Sequence, residues 1–161
     1  MGHHWEGLYN TGFAEAFGES KRSRPEQIPA TMKLLVLIGS YMADRYHGRP
    51  YALAQNLRRP LRASYDRALE SFDVLAMPTT PMKAHRNDPT MGVENLIRHG
   101  WNPNQNTVPF NLTGHPAISI PCAMSNGLPV GMMLVAKHFD DATLIRASHA
   151  FEQHIEWETL S

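Results

Sequence analysis

Several groups of side chains in this sequence have the chemistry to attack a carbonyl or to hold a small ligand. A cysteine thiolate with a histidine as base makes a nucleophile, and the chain offers one cysteine, Cys122, and nine histidines. Cys122 follows the apolar run Ala117-Ile118-Ser119-Ile120 and Pro121, a setting that reads as that of a small buried residue. The histidines, His3, His4, His47, His85, His99, His115, His138, His149 and His154, show no HExxH-like spacing. His149 and His154 stand five apart and so do not stack on one helix face. We therefore expect no metal and no cofactor. Two adjacent acids, Asp140 and Asp141, are better placed to cap a helix than to share acid–base work. Arg58, Arg59 and Arg62 read as a solvated helix face. Ser119, Ser125 and Ser148 lie in no Gly-x-Ser-x-Gly elbow and in no Gly/Ser-rich loop that would expose a hydroxyl beside oxyanion donors.

One stretch stands apart. Asn104-Gln105-Asn106-Thr107-Val108-Pro109-Phe110-Asn111-Leu112-Thr113-Gly114-His115-Pro116 concentrates amide and hydroxyl groups around an aromatic within a Gly/Pro frame. Such a segment can present hydrogen bonds to a bound amide, or simply satisfy its own backbone; spacing alone leaves both readings open.

The elements that must position these groups follow from periodicity. Residues Met1–Arg24 mix Trp5, Tyr9, Phe13 and Phe17 with four glycines and show no sustained period. From Pro25, Ile28, Met32, Leu35, Ile38 and Met42 recur at helical spacing until Gly48 and Pro50. A second helical stripe carries Leu57, Leu61, Tyr65, Ala68 and Phe72, and Pro60 should restart or kink it. Val74–Met77 reads as a buried strand closed by Pro78-Thr79-Thr80-Pro81. A long polar connection, Met82–Pro109, leaves room for a short helix at Val93–His99. Ala117–Ile120, stopped by Pro121, and Pro129–Ala136 are the next strands, joined through the turn signal Ser125-Asn126-Gly127. A last helix places Leu144, Ala147, Ser148, Phe151 and Ile155 on one face. The class is α/β, and three buried-type strands need neighbours to cover their edges.

Bulk properties narrow the function. Lysine plus arginine balance aspartate plus glutamate at 15 each, so no summed field draws nucleic acid or an anionic bilayer. The longest apolar run, near Leu34–Ile38, falls far short of the roughly 20 residues of a membrane span. With a single cysteine and no signal-peptide core, the sequence reads as soluble and cytoplasmic.

Taken in order, Asp73-Val74-Leu75, Met77-Pro78-Thr79-Thr80-Pro81, the run Asn106–Cys122, Gly127–Val135 and His138-Phe139-Asp140-Asp141-Ala142-Thr143-Leu144 resemble the C-terminal third of amidase-signature enzymes. Among these, the sequence is most similar to bacterial enantioselective amidases of nitrile degradation, over about Trp5 to Gln153. The resemblance implies that residues 1–161 are the C-terminal portion of one α/β domain, a mixed sheet wrapped by helices and incomplete in isolation. It implies hydrolysis of a carboxamide to carboxylate and ammonia through a Ser-Ser-Lys triad. That triad sits in an upstream Gly/Ser-rich region with no match here. Lys21, Lys33, Lys83 and Lys137 occur in unrelated contexts, so no catalytic residue is assigned. By analogy this portion supplies strands and part of the substrate pocket, with Asn106, Thr107 and Phe110 as substrate-binding candidates.

On this reading the expected partners are a small-molecule amide and a triad-bearing N-terminal segment or subunit, with a homo-oligomer left open. The alternative is a non-catalytic subunit or binding module that associates with an intact amidase or amidotransferase. A truncated product and a separate subunit fit the resemblance equally.

Overall fold

The computed structural model describes residues 10–86 and 88–160. Trp5, Tyr9, His3 and His4 lie outside them. The chain divides into two compact units, Met1–Tyr41 and Met42–Ser161.

In the first unit, helix α1 spans Thr11–Ser23, where the sequence shows no period. Local chemistry makes it. Asn10 caps the helix by accepting the Phe13 amide at 2.9 Å, Phe13 and Phe17 stack one turn apart, and Lys21 and Arg22 face the negative end of the dipole. A 3₁₀ turn at Pro25–Gln27 leads to helix α2, Ala30–Tyr46, whose residues from Met42 onward belong to the second unit. α2 begins later than the expected helix, with Ile28 in the preceding turn, and buries no residue; Met32, Leu35, Val36, Leu37 and Ile38 remain exposed.

The second unit holds the sheet. His47 and Gly48 adopt positive φ and end α2; helix α3 then runs Arg49–Ser71 with Pro50 in its first turn. It continues through Pro60 rather than restarting there. The Ser64 hydroxyl donates to the Pro60 carbonyl at 3.0 Å. The expected apolar stripe is shifted: Leu61, Tyr65 and Ala68 are half-buried and Leu69 is fully buried, but Leu57 and Phe72 are exposed.

Three strands follow in order β1-β3-β2, where β1 is Leu75–Pro78, β2 Ala117–Ser125 and β3 Leu128–Val135. Both pairings are antiparallel, so the mixed sheet implied by the resemblance is not completed by the described residues. Asn126 and Gly127, both at positive φ, form the two-residue turn of the β2–β3 hairpin. β2 does not stop at Pro121. The register passes from Pro121 opposite Gly131 to Ala123 opposite Val130, leaving Cys122 as the extra residue of a bulge. A proline without an amide proton is tolerated beside such a break in the ladder.

Between β1 and β2 lie helix α4, Val93–Trp101, as expected, and helix α5, Val108–Thr113, where the sequence reads as loop. Pro109 sits in the first turn of α5, where a missing N–H costs nothing, and Gly114 ends it at φ +81°. Helix α6, Asp141–His154, is capped by Asp140, whose carboxylate accepts both the Thr143 amide and its hydroxyl.

β3 is the hub. Leu134 packs with Ile120, Ala136 and Leu144 against Phe151 on the α6 side, while Met133 and Val135 pack with Phe110 against Tyr65 on the other. Helices thus cover both faces of the central strand. Met124 donates its amide to the Leu160 carbonyl at 2.7 Å, which ties the far end of β2 to the C-terminal segment. Among the described residues, no helix is long and apolar enough to cross a membrane.

Leu69 is fully buried and Leu57 is not. Leu69→Ala should therefore lower stability by about 2–5 kcal/mol, whereas Leu57→Ala should change it by no more than about 0.5 kcal/mol. Urea denaturation followed by circular dichroism separates the two.

Candidate functional site

The motif after β1 is locked to the sheet by hydroxyls and amides. Thr79 extends the ladder by donating its amide to the Gly131 carbonyl at 2.9 Å. Its hydroxyl meets the Ser119 hydroxyl at 2.6 Å, so residues of β2 and of the post-β1 loop join across β3. Gly131 is what permits this. A Cβ there would lie 2.8 Å from Thr79 Oγ1 and 3.0 Å from Ser119 Oγ. The Thr80 hydroxyl donates to the Met82 carbonyl at 2.7 Å and turns the chain.

The amide-rich segment closes on the same point. Asn106 donates its side-chain amide to the Pro78 carbonyl at 2.8 Å, across 28 residues of sequence. Thr107 donates its hydroxyl to the Asn104 carbonyl at 3.1 Å, an internal turn bond. Phe110 is 5% exposed, its ring tilted against Tyr65 at 4.9 Å. Beside them lies a cleft of about 540 Å³ whose walls include Met82, Pro103, Leu128 and Val130, with Thr80, Lys83, His85, Ser125 and Asn126 as polar members. Pro103 represents the amide-rich segment in that lining. Asn106, Thr107 and Phe110 are not among its walls: Asn106 holds Pro78, Thr107 bonds within its own turn, and Phe110 packs in the core.

The hydroxyl and thiol candidates occupy structural positions. Ser119 is engaged by Thr79, Ser125 lines the cleft at the β2 end, and Ser148 is buried on α6. Cys122 is half-buried at the bulge. Arg58 and Arg59 are on α3 beside Gln55 and Asn56, and Arg62 Nε reaches Asp66 Oδ2 at 3.8 Å.

A second cluster, missed by sequence spacing, gathers at the other end of the strands. His115 is buried between α5 and β2; its Nε2 lies 3.1 Å from Asp66 Oδ1 on α3, and its Nδ1 lies 2.9 Å from Thr113 Oγ1. His138 follows β3, its ring centroid 4.4 Å from that of His115. Burial, then the Arg62 guanidinium, then His115 hold the His138 pKa below its ordinary value and so favour the neutral ring. Its Nε2 is buried without a hydrogen-bond partner among the described residues. One ligand atom each from Asp66, His115 and His138 come within 4.8 Å of one another. The three residues belong to segments far apart in sequence, so no motif spacing announces them. The only local signal is that both histidines flank apolar strands.

The amidase family model matches residues 11–145, and this chain belongs to that family. A Rhodococcus erythropolis relative described as an uncharacterized protein in the nthA 5' region is 40% identical over 150 residues, which span 92% of this chain and 75% of the relative. The A subunit of glutamyl-tRNA(Gln) amidotransferase from Lysinibacillus sphaericus is 36% identical over 157 residues, 93% of this chain but 28% of the relative. The crystal structure of the corresponding glutamyl-tRNA(Gln) amidotransferase protein from Thermotoga maritima matches with a TM-score of 0.59 at 23% identity, covering 88% of this chain and 31% of that one. The fold is thus a part of the amidase-signature fold.

A Cβ added at Gly131 would meet the Thr79 and Ser119 hydroxyls below ordinary contact distance. Gly131→Ala should destabilise the protein by about 1–3 kcal/mol through overpacking. Adding Thr79→Ala, which removes the nearest atom, should recover part of that loss in thermal melts.

Proposed function

We propose that this chain is the C-terminal portion of an amide hydrolase, supplying sheet strands and one wall of the substrate cleft to a nucleophile carried elsewhere. The observation that carries the reading is the family match over residues 11–145, joined to a cleft built from its motif segments. Within that cleft the Thr80 hydroxyl donates to a backbone carbonyl rather than to a base. In the reaction, a serine attacks the carboxamide carbon, a second serine relays the proton to a neutral lysine base, and ammonia leaves; water then releases the carboxylate from the acyl-enzyme.

The cleft walls, largely apolar side chains such as Met82, Leu128 and Val130, suit an apolar or aromatic acyl group. Amides of the kind formed during nitrile degradation fit that description. Asn106 serves by holding the Pro78–Pro81 loop against the acyl group, Thr107 by bracing the turn that carries Asn106, and Phe110 by anchoring α5 against Tyr65. A cytoplasmic setting agrees with the balanced charge and lone cysteine. A second reading, amide transfer with ammonia as nucleophile, is favoured by the 36% identity to one component of an amidotransferase. A non-catalytic module bound to an intact amidase is the reading from outside enzymology.

Ammonia release from a simple aromatic amide tests the proposal, using this chain with and without a co-expressed amidase segment that carries the triad. Release only with the segment is the expected result; release by this chain alone, or none in either case, contradicts it. Cys122→Ala should leave the reconstituted rate within about twofold, since a bulge thiol takes no part in serine chemistry. Loss of turnover with retained folding would instead place the thiol in the reaction.

A further inference from the structure

We propose that Asp66, His115 and His138 bind a borderline divalent cation, with Zn²⁺ as the reference ion, as a clip between α3 and the loops flanking β2 and β3. The inference stands apart from the hydrolase reading and uses none of the cleft residues.

The donor set is the first argument. Two imidazoles and one carboxylate suit zinc-like ions, whereas magnesium and calcium prefer oxygen alone. Three protein ligands leave a fourth position for water. Geometry is the second. His115 Nε2 and Asp66 Oδ1 already stand 3.1 Å apart, close to the roughly 3.3 Å between two ligands at zinc bond lengths on a tetrahedral ion. All three ligand atoms fall within 4.8 Å, so closing the site asks for a movement of about 1 Å or slightly more. Asp66 can supply it, because its side chain is 48% exposed and lies at the open side of the cluster. Arg62, 39% exposed and 3.8 Å from the other Asp66 oxygen, can turn its charge toward solvent as the cation enters.

The third argument is an orphan. His138 Nε2 is buried and has no hydrogen-bond partner among the described residues, an arrangement that costs free energy unless something occupies that lone pair or proton. A cation offers the missing partner. The surroundings also hold the rings in place. Thr113 Oγ1 engages His115 Nδ1 at 2.9 Å, the outer contact that fixes a ligating imidazole by its other nitrogen. In the tautomer with the His115 proton on Nδ1, donated to the Thr113 hydroxyl oxygen, Nε2 is free to coordinate. Gly114 leaves the room for His138: a Cβ there would lie 3.1 Å from His138 Cε1.

Cobalt(II) is the probe, because four-coordinate nitrogen–oxygen ligation gives a visible absorption far stronger than that of the aqueous ion. The full chain is used with His3 and His4 replaced by alanine, so that this histidine pair does not contribute. The expected result is an intensified band that saturates at one cobalt per chain, is abolished by zinc, and accompanies a rise in thermal midpoint. His115 is almost fully buried, so its removal tests folding as much as binding; His138→Gln carries the test instead. That variant should keep its circular dichroism spectrum, lose the cobalt band and weaken zinc binding at least tenfold. His85→Ala, which breaks the stacked His85–His99 pair, should bind as the parent does. Absence of the band in the parent, or its survival in folded His138→Gln, overturns the proposal.

Discussion

Burial of β3 on both faces is the constraint on which the second unit depends. Alternation along a strand sends successive side chains to opposite sides. In β3 both sides are apolar: Met132 and Leu134 turn toward α6, Met133 and Val135 toward Phe110 and Tyr65. A strand of this kind must occupy the middle of a layered structure, with β1 and β2 on either side of it. Everything of functional interest hangs from the ends of that strand. At one end Gly131 admits the Thr79–Ser119 hydroxyl pair and the cleft beside it; at the other, His138 emerges next to His115.

The same constraint explains why the cleft is shaped by residues that do not line it. Asn106 reaches across to the Pro78 carbonyl and Phe110 enters the β3 core, so the amide-rich segment acts as a buttress for the Pro-Thr-Thr-Pro loop. Polar density in a sequence marks a segment with many hydrogen bonds to make. It does not say whether a ligand or the protein's own backbone receives them.

Strong local chemistry was legible in the sequence. The Asn126-Gly127 turn, the three apolar strands, the Asp140 cap and the α6 face, apart from Ile155, which lies past the helix end and is exposed, all follow from rules that act within a few residues. The misses have physical causes. α1 carries Gly12 and Gly18, which weaken the period, and is held by a cap and an aromatic stack instead. α5 is a single short helix begun by Val108-Pro109, too brief for periodicity to register. β2 outlasts Pro121 because a bulge at Cys122 absorbs the missing amide. Asp66, His115 and His138 meet only through tertiary packing, which no spacing rule reaches.

Packing around the C-terminal half of β3 is complete on its two faces, yet the outer edges of β1 and β2 pair with no other strand among the described residues, and α2 displays an exposed apolar run from Leu35 to Ile38. The chain also spans 28% of the Lysinibacillus relative and 75% of the Rhodococcus one. Unpaired strand edges and exposed apolar helix faces are what one part of a larger α/β domain presents to the rest. Amide hydrogen exchange of this chain, alone and with a co-expressed triad-bearing amidase segment, tests that account most directly. The account predicts slowed exchange at β1 and α2 on association, with β3 protected in both states; unchanged exchange at β1 and α2 would contradict it.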